Sequence, residues 1–197
     1  MSEIRVARPD DTDALYKVCL ETADDGGDGT ELFDDPQLVG HIFAAPYPIF
    51  EPSLAFVAED GAGVGGYIIG ALDTLAFGET LEREWWPKLR ARYPLDGEYG
   101  EHDRRMVDLI HNPPPPPDVA YPGHPSHLHI DIVARMQGEG LGVRFMDTMF
   151  AALRAHGSPG VHLGVWARNT RAIGFYRHLG LTELTATDDF IIFGARF

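Results

Sequence analysis

The chain has 197 residues, 44% of them hydrophobic, with 30 acidic against 16 basic residues and a formal net charge of −14 at pH 7. That length suits one domain with a full core, and the composition is too apolar for a disordered acidic tail and too interrupted by charge for a membrane span. Wrapping nucleic acid is disfavoured, because phosphate neutralisation needs Lys and Arg and no basic run exists.

Ile4 and Val6 alternate with charged neighbours, and Pro9-Asp10-Asp11 leads into Ala14, Leu15, Val18 and Cys19 at helical spacing. This predicts a short strand followed by a capped helix. The opening MSEIRVARPDD lacks the charged cap and apolar run of a secretory leader, and one cysteine, Cys19, cannot close a disulfide within the chain. A cytoplasmic location is the expectation. Residues 21–35 hold seven acidic residues and three glycines with no apolar period, which predicts an exposed loop. Asp35-Pro36 reads as the start of a helix over 37–45 that Pro46 and Pro48 stop. Residues 53–59 and 65–73, around Asp60-Gly61-Ala62-Gly63, read as a β-hairpin. Residues 74–123 then read as an insertion in a single domain spanning 1–197. Within it 81–93 is a helix candidate, the five prolines at 113–117 are polyproline or turn, and Trp85 and Trp86 are expected to pack the insertion onto the body.

From Ser126 the pattern sharpens. Leu128, Ile130 and Ile132 alternate with His127, His129 and Asp131, so a strand carries one apolar and one polar face. Gln137-Gly138-Glu139-Gly140-Leu141-Gly142 opens a helix with Leu141, Phe145, Met149 and Leu153 at spacing four, ended by Gly157. Residues 161–165 form a strand, Asn169 caps a helix through Leu179, and 190–197 form a last strand. The order predicts an α/β domain with a mixed sheet.

A glycine turn between strand and helix converges backbone N–H groups and adds the positive end of the helix dipole, an arrangement suited to a pyrophosphate. The spacing G-x-G-x-G, late in the chain and with no following Lys-Ser or Lys-Thr, fits neither a dinucleotide fingerprint nor a nucleotide-hydrolase loop. In a strand covered on both sides a polar face calls for a reason. Asp131, nearest the loop, is the first candidate for a base or an anchor for a cationic group, and His129 the second. Tied to neighbouring backbone, either would be a purely structural group. His127, His129, Asp131 and His124 also have strand spacing that could share a metal, but no further ligand motif follows and no metal is expected.

Gln137, Gly140 and Gly142 fit the acetyl-coenzyme A loop Q/R-x-x-G-x-G/A of the GNAT N-acetyltransferases, and Asn169, Ala172, Phe175, Tyr176 and Gly180 fit that superfamily's second marker, N-x-x-A-x-x-F-Y-x-x-x-G. Over nearly the whole length the chain resembles the acetyltransferase-like C-terminal domain of O-GlcNAcase and its free-standing bacterial relatives, through Ile4-Arg5-Val6-Ala7, 16–19, Gly66-Tyr67, Asp73, 129–132, 153–160 and Phe175-Tyr176. The resemblance implies a GNAT fold: a central mixed, mostly antiparallel sheet with splayed central strands and helices on both faces. It implies acetyl-CoA as co-substrate, with the backbone of Ile132 and Val133 on the pantetheine and the N–H groups of Gly138, Glu139, Gly140, Leu141, Gly142 and Val143 on the pyrophosphate. Asn169 would meet the pantetheine and Tyr176 would serve as general acid to the departing thiolate.

The function so implied is transfer of acetyl to a primary amine, on a small molecule or a peptide, by direct attack in a ternary complex. The alternative is a catalytically silent module that binds acetyl-CoA or a protein partner. Neither nucleic acid nor membrane is an expected partner, and the insertion and last strand are the surfaces a homodimer would use. Residues 1–123 carry 9 basic and 24 acidic residues, while residues 124–180 carry 6 and 3. Arg135, Arg144, Arg168 and Arg171 are therefore expected to favour the polyanionic coenzyme, and the acidic half to suit an amine.

Overall fold

A computed structural model describes residues 2–120 and 123–197, the side chain of Val119 excepted. The expected first strand is β1 (Glu3–Val6), followed by helix α1 (Thr12–Leu20) and a long acidic connection to α2 (Leu38–Phe43). Pro46 does not end helical structure but opens a second short helix, α3 (Pro46–Phe50). A proline at a helix start forfeits only an N–H that has no intrahelical partner. The hairpin is β2 (Ala55–Asp60) and β3 (Gly63–Ala71).

Residues 74–112 are largely helical, as α4 (Thr74–Glu84), α5 (Trp86–Arg92) and α6 (Glu101–His111). The single helix expected over 81–93 breaks at Trp85 because Pro87 lies in the first turn of α5. These helices are part of the core: Trp86 and Leu89 are buried and Val107 and Ile110 are fully so. Trp85 donates its indole N–H to the His41 carbonyl at 2.9 Å, so both tryptophans serve packing, as the sequence suggests. Asp103 on α6 accepts the backbone N–H groups of Asp34 and Asp35 at 3.2 and 3.0 Å, which fastens the acidic connection to this layer. Residues 113–117 carry neither helix nor strand.

Beyond them run β4 (Ser126–Ile132), α7 (Leu141–Ala155), β5 (Gly160–Trp166), α8 (Thr170–His178), β6 (Thr182–Ala186) and β7 (Phe190–Arg196). Strand β6 is additional to the elements legible in the sequence. It lies at the sheet edge, where its TELTA residues are exposed or half-buried and give no apolar alternation. The seven strands are ordered β1-β2-β3-β4-β5-β7-β6.

Every neighbouring pair is antiparallel except β4 and β5, which run parallel and meet at only two positions, Ser126 with Val161 and His127 with His162. Strand β4 stays paired with β3 from His127 to Ile132, and β5 stays paired with β7 to Trp166. The sheet therefore opens as a wedge between β4 and β5. Its vertex is pinned by buried polar groups: the Ser126 hydroxyl bonds the Leu72 carbonyl at 2.6 Å and the Ser158 hydroxyl at 2.7 Å, and a His162 ring nitrogen bonds the His124 carbonyl at 2.8 Å. Gly160 is required there, since a Cβ would meet the Gly123 carbonyl at 2.4 Å.

Helix α7 covers the face that carries the even-numbered residues of β3 and β4, with Phe145 against Gly66 and Met149 against Gly70. The opposite face, with Tyr67, His129 and Asp131, looks towards α1 and α2. Because Phe145 is fully buried at the centre of the first layer, Phe145→Ala should lower the unfolding free energy by about 3–5 kcal/mol, read from urea denaturation monitored by circular dichroism.

Candidate active site

The wedge encloses a cleft of about 630 Å³, entered between the glycine loop, α8 and the α1–α2 connection. Val133 donates its N–H to the Gly65 carbonyl and accepts from the Met136 N–H, both at 2.9 Å. The Val133 N–H is thus taken by β3, and its carbonyl already holds one hydrogen bond. Successive residues of an antiparallel strand point their hydrogen-bonding groups to opposite sides, so Ile132 directs its own pair into the wedge. The Ile132 carbonyl accepts from Gln137 Nε2 at 2.6 Å, and Gln137 Oε1 accepts from Arg171 Nη1 at 2.5 Å. Gln137 thus ties the end of β4 to α8 across the mouth of the cleft.

Gly138 and Gly140 have φ of +87° and +70°, a conformation that L side chains rarely adopt. Gly140 stands at the N-cap of α7 and no side chain caps that helix. The N–H groups of Leu141, Gly142 and Val143 have no intrahelical acceptors, and with the helix dipole they make an anion cradle. Gly142 answers to packing: a Cβ would lie 3.0 Å from Phe175 Cζ, so α8 sits directly over the turn. Glu139 lies within the same turn.

The four arginines do not act as a group. Arg135 pairs with Asp60 at 2.5 Å, Arg144 bonds Ser2, and Arg168 forms an ion pair with Asp25. Only Arg171 lines the cleft with a neutral partner. The net-basic count of residues 124–180 therefore overstates the positive charge available to a ligand.

On α8, Asn169 Oδ1 accepts the Ala172 N–H at 3.0 Å, which caps the helix. Its amide nitrogen remains beside Gly26 at the cleft. Tyr176, one helical face further, packs against Phe193 with ring centroids 5.6 Å apart. Its hydroxyl has no hydrogen-bond partner among the described residues, although the residue is only 7% exposed. Burial holds the phenol above its ordinary pKa, and the nearby Asp131 charge adds to that. Tyr176 is thus kept as a protonated donor.

Asp131 and His129 lie together on the cleft wall. Asp131 Oδ2 accepts the Tyr67 hydroxyl at 2.5 Å. Burial raises its pKa to about 6, opposed chiefly by the hydrogen bond from Tyr67. It is a carboxylate at neutral pH with a proton affinity well above the ordinary. His129 is brought to about 4, chiefly by burial and then by His162, so its ring is neutral. His127, in contrast, uses both ring nitrogens, on Tyr47 and Thr74 at 2.8 Å each, and has none free for a metal. Among the described residues no group of three or more His, Cys, Asp or Glu could hold a metal ion.

Sequence reasoning missed Tyr67 and the specific place of Arg171. Tyr67 is found only through register, since β3–β4 pairing sets it opposite Asp131.

A parallel pair that parts after two residues, a glycine turn on an uncapped helix and a tyrosine on the following helix define an α/β acyltransferase architecture. The chain belongs to the acetyltransferase (GNAT) family, whose model matches residues 7–181. It is 27% identical over 190 residues to Protein O-GlcNAcase of Rattus norvegicus and of Mus musculus, covering 95% of this chain and 21% of either relative. The chain thus spans about a fifth of those proteins. The crystal structure of SsHAT is similar over 99% of this chain and 98% of its own, with 36% identity and a TM-score of 0.90.

Tyr67→Phe removes the donor that favours ionised Asp131. A hydrogen bond to a charged group contributes about 1.5–3 kcal/mol, which is about one to two pKa units. Carboxyl ¹³C titration should show Asp131 moving from about 6 to about 7–8 in the variant.

Proposed function

We propose that the protein is an acetyl-CoA-dependent N-acetyltransferase that passes the acetyl group directly to a primary amine. The observation that carries the reading is the placement of two proton-handling groups on one cleft: the unpartnered Tyr176 hydroxyl on α8, and Asp131 on β4 close enough to influence it. The family's co-substrate fits the residues present. The opening turn of α7 and Arg171 suit its pyrophosphate, the outward N–H of Ile132 and the Asn169 amide nitrogen suit its pantetheine, and the cleft between β4 and β5 suits its thioester. When bound, acetyl-CoA supplies an activated acyl carbon.

An amine that arrives as ammonium first releases one proton to solvent, since only the free base has the lone pair that attacks. Asp131 accepts the next proton, which the nitrogen gives up as its bond to the acyl carbon forms, and returns it to solvent. Tyr176 delivers a proton to the sulfur as the C–S bond breaks, and the phenol is reprotonated from solvent. From the free amine the net change is one proton moved from nitrogen to sulfur, with an amide and a free thiol as products. His129, neutral and without a hydrogen-bond partner among the described residues, can orient the amine but holds a proton less tightly than Asp131. A route through an acetylated cysteine is not supported, because Cys19 is buried and its thiol is pushed well above the ordinary range.

Tyr176→Phe should lower kcat about 100-fold or more, while calorimetry shows an unchanged dissociation constant for acetyl-CoA. Arg171→Ala should weaken acetyl-CoA about tenfold and reduce the salt dependence of binding. Activity of the parent protein should rise with pH through about 6 as Asp131 ionises, and Asp131→Asn should lose that acid limb. No calorimetric binding of acetyl-CoA at about 1 mM, a ceiling near −4 kcal/mol, would sink the proposal. Binding without thiol release for any amine would favour the silent module.

A further inference from the structure

The acceptor side of the cleft has a character of its own. It is covered by Phe33 from the α1–α2 connection, Val39 and Phe43 from α2, and Met106 and Leu109 from α6, with His129 in the sheet below. His129 meets Phe43 edge to face, ring centroids 5.8 Å apart, and meets Tyr47 in the same way at 5.4 Å. The wall is thus aliphatic and aromatic, with Asp131 at its base.

Of the connection's acidic residues only Asp25 reaches this space, and it does so as the ion-pair partner of Arg168. Asp28 bonds Thr30, Asp35 bonds the Tyr93 hydroxyl at 2.7 Å, and Asp25 is paired with Arg168. None of Asp24, Asp28, Glu31, Asp34 and Asp35 lines the cleft. Asp131 is the carboxylate there that lacks a cationic partner among the described residues. A substrate with one ammonium can set it against Asp131. A second ammonium lying against Met106 and Leu109 would find no anion on that wall, and Asp25 elsewhere in the cleft already holds Arg168, so its burial would be uncompensated. The cleft, at about 630 Å³, must also admit the thioester arm, which takes part of that space from the acceptor and favours a compact one.

Resting on the acetyl-transfer reading above, we infer that the acceptor is a monoamine: one primary amine on a compact apolar or aromatic body, not a polyamine, an aminoglycoside or a lysine-rich peptide. The amine sits at Asp131 and His129, and its body lies against Phe33, Phe43, Met106 and Leu109. Specificity comes from the helical layer at 74–112, through α6, rather than from the acidic surface.

The test pairs binding with turnover. Phenethylamine, spermidine and a lysine-containing peptide are each titrated into the full chain without acetyl-CoA, observing the methionine methyl NMR signals, with Met106→Leu assigning that of Met106. Each is then assayed by thiol release at saturating acetyl-CoA. Phenethylamine is expected to shift the Met106 methyl and to show a kcat/KM at least tenfold above the other two. Leu109→Glu, which places an unpaired carboxylate on the apolar wall at a half-buried position, should narrow or invert the ratio to spermidine with thermal stability retained. Phe43→Leu should raise KM for phenethylamine with kcat held.

A wild-type preference for spermidine or the lysine peptide would overturn the inference while leaving acetyl transfer intact. So would the absence of a methyl shift with phenethylamine. Failure of acetyl-CoA to bind by calorimetry would remove the transfer reading, and the methyl titration would still decide whether the cleft takes a monoamine.

Discussion

The parting of β4 from β5 is the constraint on which the rest of the molecule turns. A parallel pair normally continues its ladder, because unpaired backbone groups inside a protein are costly. Here the ladder holds for two residue pairs and stops. The neighbouring antiparallel pairings, β3 with β4 and β5 with β7, stay complete on either side and hold each half rigid. The outward groups of Ile132 are left where a missing strand would have used them. Gln137 relieves the carbonyl. The same residue receives Arg171 from α8, so the end of one half-sheet is tied to a helix of the other half by a hydrogen-bonded bridge.

A wedge open to solvent at one end places an intermediate dielectric around whatever lines it, and Asp131 shows the result. Buried alone, a carboxylate would take up a proton and become useless as a base near neutrality; solvated, it would hold protons too weakly. Burial raises it and the Tyr67 hydroxyl restrains the rise. Tyr176 experiences the opposite arrangement, since burial and the Asp131 charge both oppose loss of its proton. One cleft thereby separates an acceptor and a donor of protons by about the means that tune catalytic groups generally, environment before identity.

The glycine loop and the Asn169 helix were legible because each residue in them answers to one local demand: left-handed φ at Gly138 and Gly140, contact with Phe175 at Gly142, a cap at Asn169. The alternation of β4 was legible for the same reason. Strand β6 was not, because an edge strand with one mostly exposed face need not alternate. Nor was the role of α6, whose Met106 and Leu109 acquire meaning only when the topology carries them to the cleft. The arginines misled, since proximity in sequence to a binding motif says nothing about the carboxylate across the sheet that claims them, as Asp60 claims Arg135.

By total charge, a protein at −14 is an unpromising host for a polyanion, and the placement of its charges explains why total charge is the wrong quantity. Beyond a screening length of about 8 Å in physiological salt, the many carboxylates of residues 1–123 contribute little at the loop. What acts there is local: uncapped N–H groups at the start of α7, the dipole behind them, and one guanidinium held in place by a neutral partner. Backbone N–H groups are donors without a titration or a counter-ion, and they cannot be neutralised by a neighbouring acid as Arg168 is by Asp25. The anion site is therefore built from the part of the chain that composition does not register. On the other side of the cleft the same logic runs in reverse: on the proposed reading, one carboxylate among apolar side chains governs what can enter more strongly than the acidic surface outside.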